Sequence, residues 1–201
     1  MKTSHAVVVV GSANADLVFD VDHRPVPGET VLAADVVTTP GGKGANQAVA
    51  EGRLGGDVAF IGCVGADEHG GLLRGSLASA GVDLAGLRTV DAPTGTAIIM
   101  VTPDGENSII VSPGANWRVT PVLLEELRPL WQDAPVVVVQ LEIPLESVAL
   151  VAKQAQGRVV LNAAPATVLP PEVLAAADPL VVNESEARFL LHAAGEDGGL
   201  E

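Results

Sequence analysis

The sequence predicts an α/β fold, a mostly parallel sheet sandwiched by helices, with a small antiparallel β lid attached. Three observations carry this reading. Short Val-rich apolar runs recur at 6–10, 58–61, 136–139, 159–161 and 180–182, continuous rather than alternating, as strands buried on both faces require. Stretches rich in Ala, Leu and Glu, which suit helices, separate most of them. A hydrophobic content of 48% with only 2% aromatics implies a core of Val, Ala, Leu and Ile, packed through small aliphatic side chains rather than as an aromatic-rich β-sandwich.

The elements follow in order. The run at 6–10 leads through Gly11 to Asn14 and Asp16. Residues 17–39 show no helical period and read as extended chain. A helix is expected over 44–54, opened by a cluster of glycines, and another over 70–80 after the second run. The stretch 94–116 holds two β-rich runs around Pro-Asp-Gly-Glu-Asn, and Asp-Gly between such runs signals a hairpin. Segments 17–39 and 94–112 together would form the antiparallel lid, or else an ordinary edge hairpin with no gating role. Helices expected over 121–130, 145–156, 171–176 and 184–194 alternate with the last three runs, which implies right-handed crossovers and parallel strands. No repeat, low-complexity segment or linker divides residues 1–201, so a single α/β domain is expected, and one of this size buries roughly 70% of its unfolded surface.

Composition excludes several functions. A net charge of −14 argues against a protein that tracks a nucleic-acid backbone, which needs clustered Lys and Arg. The single cysteine, Cys63, has no intramolecular partner, which points to a reducing cytoplasm, and within an apolar strand it reads as a small core residue. No apolar run is long enough to cross a bilayer or to form a signal-peptide core, so a soluble cytoplasmic protein with no membrane partner is expected. The four histidines lack metal-ligand spacing, Glu125 and Glu126 read as a solvated helix face, and Trp117 and Trp131 are expected to pack on the body.

In open α/β sheets, ligands bind beyond the carboxyl ends of the strands. Four of the five apolar runs are followed closely by polar residues there: Asn14 and Asp16, then Gln140 and Glu142, then Asn162, then Asn183, Glu184 and Glu186. Each alone could be a helix cap or loop residue; their convergence on one edge marks a site. Facing them, Gly41-Gly42-Lys43-Gly44 precedes a helix whose first turn carries Lys43 and Asn46. Successive glycines allow backbone N–H groups close to a ligand, although a tight strand–helix turn would use them equally. The cluster is neither a Walker A loop, since Gly44 follows Lys43, nor a dinucleotide fingerprint, since the third glycine is missing.

These elements resemble the signatures of the ribokinase-like (PfkB) carbohydrate kinases: GSANADLV (11–18), PVPGET (25–30), GGKGANQAVAEGRLG (41–55), FIGCVGAD (60–67), GENSIIVSPGAN (105–116), QLEIP (140–144), LNAAPA (161–166) and VVNESEA (181–187), almost end to end and in order. The resemblance implies transfer of the ATP γ-phosphoryl group to the terminal hydroxyl of D-ribose, giving D-ribose 5-phosphate. Asn14, Asp16, Gly42, Lys43, Asn46 and Glu142 would hold the sugar. Asn183 would lie on the nucleotide phosphates, and Glu186 would serve magnesium through water. The lid would cover the sugar and join two copies into a homodimer. A kinase for another sugar or a nucleoside, or a catalytically inert sugar-binding remnant, follows from the same resemblance. A nucleoside kinase would need an aromatic surface for the base, for which the lid offers only Phe19.

The family's catalytic base is an aspartate in a Gly-Ala-Gly-Asp segment, and that segment does not occur here; Asp67, after Gly65-Ala66, reads as a helix cap. The expectation is therefore an incomplete domain, its catalytic base, most of its adenine wall and its monovalent-cation (K+) site beyond the C-terminus. The 201-residue chain alone is expected to show no kinase activity, a reading that ribose-dependent ADP production would refute.

Overall fold

The computed structural model describes residues 5–195. The sequence readings that drew on residues 1–4 and on the closing stretch 196–201 lie outside the described residues.

Six strands form one sheet in the order β10-β9-β8-β1-β4-β5, every neighbouring pair parallel. They are β1 (Val7–Val10), β4 (Val58–Gly65), β5 (Asp83–Val90), β8 (Val136–Gln140), β9 (Arg158–Asn162) and β10 (Ala177–Val181). The run at 180–182, expected to be buried on both faces, falls on the edge strand β10 and leaves Leu180 and Val181 exposed. The other continuous apolar runs, those of β1, β4, β8 and β9, have their reason in the two cores. Val8 and Val10 of β1 and Ala59, Ile61 and Cys63 of β4 pack into the larger one with Trp131, Val139 and Leu161. Val9, Val58, Phe60 and Val64 point to the opposite face, against Leu73 and Leu77. A strand buried on both sides cannot alternate polar with apolar. Burial also pushes the Cys63 thiol up to about 12, so it stays protonated and inert.

The helices are α1 (Lys43–Arg53), α2 (Glu68–Ser79), α3 (Pro121–Glu126), α4 (Arg128–Trp131), α5 (Leu145–Gln154), α6 (Pro171–Ala176) and α7 (Glu184–Ala193). Asp67 caps α2, accepting from the Gly70 N–H at 2.8 Å, and it also accepts from the Thr94 N–H at 2.8 Å and the Thr94 hydroxyl. The single helix expected over 121–130 is divided into α3 and α4. Pro129 has no N–H to return to residue 125, and its ring crowds that carbonyl.

The second sheet corrects the expectation of an antiparallel lid. It contains β2 (Asn14–Asp20), β3 (Val37–Gly41), β6 (Gly95–Val101) and β7 (Asn107–Ser112) in the order β3-β2-β6-β7. The β6–β7 hairpin and the β2–β3 pair are antiparallel, but β2 runs parallel to β6, so the sheet is mixed. Parallel pairing needs a long crossover, and here it is the whole β3–α1–β4–α2–β5 segment. Residues 21–36 contain no strand.

Candidate acceptor site

β1 is followed by a return to the sheet at β4 on one side, whereas β8 is followed by β9 on the other. The crevice between the carboxyl ends of β1 and β8 is therefore the switch point of the sheet, where an open α/β fold offers its ligand site. A cavity of about 530 Å³ opens there. It is lined by Asn14, Asp16, Gly42, Lys43, Asn46 and Glu142, with Ala97, Ile99, Ile109, Val111, Pro113, Trp117, Leu141, Ile143 and Pro165. Six polar or backbone positions singled out in the sequence thus come to one place.

Each is positioned by a local cause. Asn14 and Asp16 sit two apart on β2 and project from the same face. Their registered partners Gly95 and Ala97 on β6, with Ile99 two residues on and its β7 partner Ile109, extend that face into an apolar wall. Gly42 precedes α1 at φ 86°, a left-handed conformation that favours glycine, and a Cβ there would lie 2.6 Å from the Asn14 N. Glycine lets the start of α1 close against β2, which brings Lys43 and Asn46 to the cavity.

Glu142 arrives from the loop after β8, and three contacts hold its carboxylate. The Ser12 hydroxyl donates to Oε2 at 2.6 Å and the Lys43 N–H donates to the same oxygen at 3.1 Å. Lys43 Nζ stands 3.8 Å from Oε1. Ser12 in turn accepts from the Gly44 N–H at 3.3 Å. Two carboxylates and one ammonium share the cavity, and the balance falls on Asp16. Its burial, then the charge of Glu142, hold its carboxyl above the ordinary value of 3.8, while Lys43 pulls the other way.

The remaining expected residues stand elsewhere. Gln140 is fully buried, its amide donating to Gln47 on α1, and Asn162 lies in the β8–β9 ladder opposite it. Asn183 and Glu186 form a reciprocal capping box at the start of α7: the Glu186 N–H donates to Asn183 Oδ1 and the Asn183 N–H donates to Glu186 Oε2, both at 2.8 Å. Neither lines the cavity.

Three residues were missed. Ser12 supports Glu142 across 130 positions of sequence, a relation with no local signal. Asn116, fully buried, donates to Asn14 and closes the hairpin segment in the Gly-Ala-Asn triplet. Trp117 corrects the expectation that it packs on the body: it is 61% exposed and forms part of the cavity wall, whereas Trp131 is buried with its indole N–H on the Leu124 carbonyl. Phe19, by contrast, does not line the cavity.

Comparison with known proteins bears on the family and the fold. The model of the "pfkB family carbohydrate kinase" matches residues 4–199. Curated relatives include the ribokinase of Haemophilus influenzae, 40% identical over 92% of this chain and 61% of the relative, and that of Bacillus subtilis, 40% identical over 92% and 64%. The chain therefore spans just under two thirds of their length. Among solved structures, a ribokinase from Thermotoga maritima superposes with a TM-score of 0.90 at 36% identity, covering 98% of this chain and 66% of that one. An Arabidopsis thaliana ribokinase complexed with ribose and ATP gives 0.78 at 37% identity, covering 94% and 63%. On the strength of the family match across nearly all its residues, this chain belongs to the pfkB family of carbohydrate kinases.

Proposed function

We propose that the chain carries the acceptor-binding portion of an ATP-dependent ribokinase, whose reaction moves the γ-phosphoryl group of ATP to the terminal hydroxyl of D-ribose. The observation that carries this reading is the meeting of Asp16, Glu142, Asn14, Lys43 and Asn46 in one cavity under an apolar wall. A polyol suits that mixture, because hydroxyls both donate and accept, and an analogue lacking one leaves a buried polar group unpaired. Asp16 and Glu142 accept from sugar hydroxyls, Lys43 and Asn46 donate, and the wall of Ala97, Ile99, Ile109 and Val111 excludes water that could otherwise take the phosphoryl group. Phosphoryl transfer depends chiefly on such positioning and on electrostatic stabilisation.

Magnesium belongs to the same reading and, when bound, would neutralise phosphate charge. Glu186 is the residue that would hold it through water. One of its carboxylate oxygens is taken by the Asn183 N–H, and the other has no hydrogen-bond partner among the described residues. Asn183 would stand beside the phosphates. No Gly-Ala-Gly-Asp segment occurs in the 201 residues, so the group that takes the hydroxyl proton has no candidate here.

Isothermal titration of the chain with D-ribose tests the acceptor reading. Saturable binding that Asp16→Ala weakens on the order of 10- to 100-fold, the worth of a hydrogen bond to a charged group, supports it. Absence of binding by a folded chain sinks it. A nucleoside acceptor is the second reading, favoured by the indole of Trp117 at the wall, a surface on which a base can stack. Tighter binding of a ribonucleoside than of ribose would select it.

A homodimer through the second sheet is also proposed. On the face turned from the cavity, Leu17, Ile98 and Ile110 are registered neighbours on three adjacent strands, and the two isoleucines are exposed. Such a stripe on a sheet face matches a self-complementary contact.

A further inference from the structure

Asn116 lies on the 3-10 turn Gly114–Arg118, 1% exposed, and its amide is held at both ends. The Ala13 N–H, which can only donate, approaches one end at 2.9 Å. The atom it meets must be the amide oxygen, so Nδ2 occupies the other end, 2.7 Å from the side chain of Asn14. An NH2 group only donates, so Asn14 must turn its own oxygen towards Asn116. Its Nδ2 is thereby turned away. That Nδ2 has no hydrogen-bond partner among the described residues and is not among the polar atoms sealed from solvent, while Asn14 lines the cavity. Gly95 packs against the pair: a Cβ there would collide with both Asn116 Nδ2 and Asn14 Oδ1.

We infer that Asn116 is a positioning residue that sets which end of the Asn14 amide faces the acceptor cavity. The direction of one backbone N–H is relayed through two side-chain amides to the ligand. The cavity then presents a donor at Asn14 beside carboxylate acceptors at Asp16 and Glu142. A vicinal diol answers that pattern, one oxygen accepting from Asn14 and its neighbour donating to a carboxylate. The inference deepens the proposed acceptor function and rests on it.

Asn116→Asp tests it with an isosteric change. Aspartate still accepts from the Ala13 N–H but cannot donate, so Asn14 must turn its NH2 towards residue 116 and show its oxygen to the cavity. D-Ribose is titrated calorimetrically into the unaltered chain, N116D, N14A and the double variant, with thermal unfolding of each recorded. The expected result is a loss of tenfold or more for N116D and less than twofold for the same change in the N14A background, because the group through which it acts is gone. Asn116→Ala, which frees Asn14 to turn without adding charge, gives a smaller loss with the same non-additivity, and serves if N116D does not fold. Equal losses in both backgrounds, or unchanged binding by N116D and N116A, overturn the inference. So does ribose binding that N14A leaves unaltered, while the acceptor reading survives. Failure of the unaltered folded chain to bind ribose removes both.

Discussion

Asp16 is harder to ionise in the folded protein than in the unfolded chain. Its carboxyl is raised by burial and by Glu142, so below the unfolded value of 3.8 both states are protonated and the residue costs nothing. As pH rises from there through the raised folded value, the unfolded chain gives up its proton more readily, and stability falls. Asp16→Asn should therefore raise the melting temperature near neutral pH, with the gain fading in acid, while weakening ribose binding. Thermal unfolding across pH 3 to 8 checks both signs. Trp117 offers a second measurement at this scale. Because Trp131 is buried and its indole N–H is bonded, a ribose-induced change in tryptophan emission should arise from Trp117 and vanish in Trp117→Phe, with Trp131 unaffected. A change that persists in W117F would contradict the proposal that ribose binds in the cavity that this side chain lines. Asp16, Lys43, Asn46 and Glu142 could be picked from the sequence because each follows a strand end or opens a helix. Ser12 and Asn116 could not, since they act through partners more than 100 positions away.

Among the elements, α2 shows how one cap can join separate parts of the chain. Asp67 accepts from Gly70 in its own helix and from Thr94 at the base of the hairpin. Partial burial works to raise its carboxyl, but the Thr94 hydroxyl and the N–H groups of Thr94 and Gly70 outweigh it and hold it below 3.8. The stability it supplies is present above that value and is lost as pH falls through the lower folded one. Asp67→Ala should cost roughly 1–2 kcal/mol, as loss of a helix cap does, and urea unfolding at pH 7 measures it; the difference between D67A and the unaltered chain should shrink in acid. The strands fully buried on both sides were legible because nothing polar interrupts them. β5 was not, since Asp-Leu-Ala-Gly-Leu-Arg-Thr-Val mixes polar and apolar residues at the sheet's edge, where one margin meets solvent. The mixed character of the second sheet was equally hidden, because the parallel partner of β2 lies some eighty residues downstream.

For the whole molecule, the consequence of that pairing is an exposed apolar stripe and a question of assembly. Ile110→Asp should shift the chain from dimer to monomer in light scattering coupled to size exclusion, and an unaltered chain that is already monomeric excludes the dimer reading. At the opposite margin of the main sheet, β10 and α7 expose Leu180, Val181, Phe189 and Leu191. Among the described residues no helix is long and apolar enough to cross a membrane.

β2 is hydrogen-bonded along its full length to β6, from Asn14 opposite Gly95 to Asp20 opposite Val101. Asn14 and Asp16 are thus fastened to the same plate as the hydrophobic wall of the cavity beside them. On the proposed acceptor reading, tilting that plate would carry both polar groups along with the wall, which couples tightness of hold to degree of enclosure. Evolution or engineering that loosens the one must surrender some of the other.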